Sequence, residues 1–116
     1  MSITAEIAAT IAQHGIVETK DRDKYGRSMT NFHLSDRETN ARAIVVLVTL
    51  PKGYREKYGK GYIVNNWEKK HFEETSSWEF ENRNEAKKFA LAELVASFEK
   101  KVAAKKMEIE AAAAKF

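Results

Sequence analysis

The sequence predicts an α+β fold: a short N-terminal helix, a four- to five-stranded antiparallel sheet, and a long C-terminal helix packed across one face. Three stretches carry this expectation. Ser28 to Ser35 alternates, with Thr30, Phe32 and Leu34 on one parity and Met29, Asn31 and His33 on the other. Ala41 to Leu50 is β-branched and apolar on both parities, as a central strand is. After a strand ending Trp78-Glu79-Phe80 and a two-residue corner, more than thirty residues follow without Gly or Pro.

Taken in order, Ser2 is placed to cap a helix in which Ile3, Ile7 and Ile11 align beside Ala8 and Ala12. Gly15 then supplies a left-handed C-terminal residue, and Ile16 folds back on Ile11. His14 lies in the last turn, where a cation suits the helix dipole, and reads as a surface residue with no second metal ligand near it.

Ile16 to Lys20 and Ser28 to Ser35 form a predicted hairpin. Its connection, Asp21 to Arg27, opens like a calcium loop, but Tyr25 and Phe32 stand where an Asp or Asn and the bidentate Glu belong. It therefore reads as a polar loop in which Gly26 supplies a positive φ. The strand from Ala41 to Leu50 ends at Pro51. Being apolar on both parities, it is expected to be covered on both faces, by the long helix on one side and by the first helix or a second copy of the protein on the other.

Residues 51–61, Pro-Lys-Gly-Tyr-Arg-Glu-Lys-Tyr-Gly-Lys-Gly, resemble a phosphate-binding loop only superficially. The glycine spacing is one residue too long, Gly61 replaces the magnesium-binding Ser or Thr, and no helix is evident afterwards, which excludes nucleotide hydrolysis. Two readings stay open. In one, Lys52, Arg55, Lys57 and Lys60 contact phosphates while Tyr54, Tyr58 and Tyr62 offer flat faces to unpaired bases. In the other, the segment is a solvated hairpin tip whose tyrosines pack over the sheet edge and whose lysines discourage edge aggregation. Tyr62 to Trp67 and Phe72 to Phe80 are the last two predicted strands, with Trp67, Trp78 and Phe80 as core residues.

Asn82 with Glu85 has the form of a capping box and fixes the start of the final helix. At 100° per residue, Leu91, Leu94, Val95, Phe98, Val102, Ile109, Ala112 and Phe116 share the face a sheet would cover. A second stripe of Phe89, Ala92, Ala96, Ala103, Met107 and Ala114 lies opposite. A helix reaching Phe116 would run roughly 50 Å, so residues 103–116 should overhang a core formed by residues 1–102 of a single domain. Ala103, Met107, Ile109, Ala114 and Phe116 are the candidate helix interface. A parallel coiled coil would put Lys105 in the seam and Lys101 opposite Lys106, which leaves an antiparallel pair or a different protein as the partner.

The corner Trp78-Glu-Phe-Glu-Asn-Arg-Asn-Glu-Ala-Lys-Lys-Phe-Ala90 resembles the sheet-to-helix corner of the small arm-type DNA-binding domains of tyrosine integrases, and of small phage proteins including some anti-CRISPRs. The resemblance covers thirteen residues and transfers no binding residue.

The net charge of +3 is small, but its distribution is uneven: residues 52–70 carry +4 and residues 71–86 carry −4. The chain has no cysteine, which excludes disulfides and thiolate chemistry and is compatible with a reducing cytoplasm. No apolar run is long enough to span a bilayer, and the N-terminus lacks the pattern of a signal peptide. His14, His33 and His71 have no metal-ligand spacing, and His71-Phe-Glu73 lacks the cysteines of a zinc deaminase. Glu73, Glu74, Glu79 and Glu81 crowd one region without a catalytic arrangement.

The expectation is a cytoplasmic, non-enzymatic protein with no cofactor, metal, small-molecule substrate or membrane partner. Its function is a phage-like interaction module that binds or inhibits a host protein, or that self-associates, through the helix end and the basic loop. The alternative is a module for single-stranded DNA or RNA that uses the same loop.

Overall fold

The structure is a computed structural model and describes residues 5–66 and 76–115. Helix α1 (Ala5–His14) is followed by strands β1 (Val17–Arg22), β2 (Ser28–Ser35) and β3 (Arg42–Thr49), helix α2 (Lys52–Tyr58), strands β4 (Tyr62–Asn65) and β5 (Ser77–Phe80), and helix α3 (Arg83–Ala113). The strands form one antiparallel sheet in sequence order, with β3 at its centre. The α+β architecture matches the expectation. Ser2, Ile3, Trp67, Phe72 and Phe116 lie outside the described residues, as do His71, Glu73 and Glu74.

β1 runs two residues further than the alternation predicts, which shortens its connection to β2 to Asp23–Arg27. Its residues are all exposed, and the charges of Glu18, Lys20, Asp21 and Arg22 disfavour edge-to-edge pairing of this strand. Between β2 and β3 the Thr39 N–H and hydroxyl both donate to Asp36 Oδ2, at 3.0 and 2.6 Å. Asn40 takes the left-handed conformation with φ 61°, which Asn tolerates better than most residues.

Asn82 caps α3, its side-chain oxygen accepting from the N–H groups of Asn84 and Glu85 at 2.8 and 3.2 Å. From that cap α3 crosses one face of the sheet. Ala86, Ala90, Leu91, Leu94, Val95 and Phe98 pack on Phe32, Leu34, Ala43, Val45, Leu47 and Val64. Asn66, fully buried just past β4, ties the sheet to the helix by donating from Nδ2 to Ser97 Oγ at 2.8 Å and to Glu93 Oε2 at 3.3 Å.

Three packing expectations need correction. α1 lies against α3, on the same side of the sheet, because Ile11 and Ile16 join the core cluster there. His14 is half-buried rather than a terminal surface residue: its ring meets Phe98 edge-on at 4.9 Å, and Nδ1 sits 3.8 Å from Asp36 Oδ1. The far face of β3 is therefore only partly covered, with Val46 and Val48 buried but Ile44 exposed. Phe89, placed by periodicity on the outer stripe, instead packs against Trp78 at 4.8 Å and Phe80 at 5.2 Å, since β5 brings its half-buried aromatics to that edge of the helix.

Candidate nucleic-acid interface

The segment after Pro51 is not a loop. It forms α2, which starts at the proline and ends where Gly59 turns left-handed with φ 76° and donates its N–H to Arg55 O at 3.0 Å. Proline at the start and glycine just past the end is the common asymmetry of helix termini. Helical spacing then puts Tyr54 and Tyr58 one turn apart on one face, with ring centroids 5.9 Å apart and planes 12° from parallel. Such a pair is an offset stack, and the two residues are 55% and 60% exposed.

The other expected contact residues divide. Lys52, Lys57 and Lys60 are exposed, with Lys57 Nζ lying 5.6 Å over the Tyr58 ring and Lys52 loosely paired with Glu56 at 3.9 Å. Arg55 and Tyr62 turn inward instead. Tyr62 belongs to β4 and is half-buried, and Arg55 folds over it, its Nη1 donating to the Tyr62 hydroxyl at 3.0 Å and its guanidinium 5.8 Å over the ring. Gly61 makes room for this, since a Cβ there would lie 1.9 Å from Arg55 Cγ.

The sheet register adds residues that sequence spacing did not connect to α2. Ser28 pairs with Thr49, so the β1–β2 turn stands beside the β3–α2 junction. Tyr25, 69% exposed, thereby joins Tyr54 around a recess of about 380 Å³ that is also lined by Arg27, Leu50 and Pro51. Lys24 Nζ lies 5.1 Å and the Arg27 guanidinium 5.7 Å from the centre of the Tyr25 ring, within cation–π range.

Asp23 holds this turn. Its carboxylate accepts from the Tyr25 N–H at 3.0 Å, from the Arg27 N–H at 2.9 Å and from the Arg27 guanidinium. Burial pushes its pKa up, but the bonds from the Arg27 backbone and side chain and from the Tyr25 backbone outweigh that and hold it below 3.8. Residues 22–27 carry +2 and residues 52–60 carry +3, so the end assembled by the register holds more positive charge than the whole chain nets.

The helix-end candidates lie at the opposite end of the molecule. α3 runs from its cap near Phe80 to the β2–β3 turn, where Lys101 Nζ donates to Arg42 O at 2.7 Å, and then continues past the sheet. Ala103 and Ala114 are exposed there, as are Met107 at 69% and Ile109 at 53%. Ile109, expected on the sheet-facing stripe, is exposed and lies beyond the described strands. The structure thus separates the two candidate surfaces rather than joining them.

Among the described residues no group of three or more metal-ligating side chains converges, and no helix is long and apolar enough to cross a membrane. Comparison of the chain with protein-family models, with curated proteins and with solved structures finds no match.

Proposed function

We propose that this protein is a non-enzymatic binding module whose tyrosine-bearing end takes single-stranded nucleic acid. The observation that carries this reading is the parallel Tyr54–Tyr58 stack, presented to solvent on a seven-residue helix with Lys52, Lys57 and, just beyond it, Lys60. Flat aromatic faces accept any unpaired base, and flanking lysines attract the phosphates between bases. The cysteine-free sequence is compatible with a reducing, cytoplasmic setting.

The test is fluorescence anisotropy of a labelled short oligodeoxythymidine, comparing the wild type with a K57E/K60E double variant. Binding by the wild type and its loss in the variant support the reading. Equal binding by both, or none by the wild type, refutes it.

A protein partner on the α3 overhang is the second reading, favoured by the exposure of Met107 and Ile109 beyond the sheet. Large apolar side chains standing in water on a projecting helix resemble the anchors of helix-in-groove complexes.

A further inference from the structure

We infer that the recess between the β1–β2 turn and α2 is a seat for one unpaired base of a bound single strand, with Tyr25 and Tyr54 as its aromatic walls. This rests on the single-strand reading and extends it to a second chain element. Four observations carry it. The recess holds about 380 Å³, within the roughly 300–1,000 Å³ of small-ligand sites. Its lining is suited to a base: the rings of Tyr25 and Tyr54 for stacking, and the apolar Leu50 and Pro51.

Its charge suits the sugar-phosphate chain attached to that base. Lys24 is exposed beside Tyr25, and Lys52 and Lys57 are exposed on α2. Of the nearby carboxylates, Asp23 is engaged by Arg27, and Glu56 pairs only loosely with Lys52, at 3.9 Å between side chains that are both exposed, so a phosphate competes for Lys52. Arg27, tied to Asp23, serves as a wall rather than as a phosphate contact.

Finally, the seat is formed in advance. Asp23 N–H donates to Arg27 O at 3.1 Å, Gly26 N–H donates to Asp23 O at 3.2 Å, and Gly26 sits at φ 80°, so Tyr25 stands on a closed turn. Ordering that turn then adds little to the cost of binding.

The experiment measures the affinity of a short oligodeoxythymidine and of the matching oligouridine for the wild type, Tyr25→Ala, Tyr25→Phe and Tyr58→Ala. A thermal melt of each variant confirms folding. Loss of one stacking partner is expected to weaken binding roughly 5- to 150-fold in Tyr25→Ala, and Tyr25→Phe should restore it because the ring remains.

If Tyr25→Ala binds within twofold of the wild type while Tyr58→Ala is weakened, the base seat is wrong and the single-strand reading stands. If the wild type binds neither oligomer, both fall. Thymidine monophosphate binding as tightly as the oligomer, or a duplex competing equally, overturns the seat in favour of a free-nucleotide or a duplex site.

Discussion

Replacing Gly61 by Ala tests the packing that decides which side chains of α2 face solvent. The added Cβ would lie 1.9, 2.5 and 2.8 Å from Arg55 Cγ, Cδ and Cβ. Because the root of the side chain is in the way as well as its stem, no rotation of the far end relieves the clash, and Arg55 must leave Tyr62. That breaks a hydrogen bond from a charged group, worth about 1.5–3 kcal/mol, and a cation–π contact worth about 0.5–1 kcal/mol at an exposed site. Against this, Ala reduces the freedom of the unfolded chain by about 0.4–1 kcal/mol. The net expectation is a destabilisation of about 1–3.6 kcal/mol, read as a lower urea midpoint with an unchanged slope.

A cycle with Arg55→Ala isolates the cause. Alone, Arg55→Ala should cost about as much as the lost contacts, and adding Gly61→Ala to it should then cost clearly less than in the wild type, because of the three clashes only the one with the Cβ at position 55, at 2.8 Å, remains. Equal cost of Gly61→Ala in both backgrounds would refute the account, because the penalty would then have another source.

Other parts of the fold give sharper or simpler outcomes. Phe98→Ala, at a core position 2% exposed, should cost about 3–5 kcal/mol in equilibrium unfolding. Ending the chain after Val102 should leave the unfolding free energy within about 0.5 kcal/mol of wild type, since described residues beyond it are exposed. The same truncation removes 11 of the 48 residues in the three helices (10, 7 and 31 residues), so the far-UV helical signal should fall by roughly a quarter.

The Asp36 carboxyl is held below its ordinary 3.8 by the Thr39 hydroxyl and N–H, which outweigh its burial, with smaller help from His14 and Lys106. Its contribution to stability is therefore fully present above pH 3.8 and is lost as pH falls through the lower folded value. Asp36→Asn should accordingly flatten the fall in urea midpoint below that pH, and a fall as steep as the wild type's would contradict this.

The long elements of the fold are legible in the sequence because their signals accumulate. α3 has thirty-one residues of good helix formers behind an Asn cap, and β2 alternates over eight positions, so single deviations do not obscure them. α2 is different. Seven residues make fewer than two turns, and glycines at 53, 59 and 61 hide what the Tyr54–Tyr58 and Lys52–Glu56 spacings disclose once the proline and Gly59 are taken as its ends.

The base recess was less legible still. Tyr25 and Tyr54 are distant in sequence, and only the pairing of Ser28 with Thr49 makes them neighbours. The inward turn of Arg55 depends on the missing side chain of Gly61, which no charge pattern records. The position of α1 follows from where Phe98 lies on α3, a tertiary fact that the helix's own periodicity cannot supply.

The most direct measurement of the central claim is the salt dependence of oligodeoxythymidine binding. If Lys24, Lys52, Lys57 and Lys60 each neutralise one phosphate, the logarithm of affinity falls with the logarithm of salt at a slope of about −2.8. Between about 50 and 200 mM salt the affinity should then drop roughly 50-fold. A slope near zero, or no binding at the lower salt, would contradict a single-strand site at the tyrosine end.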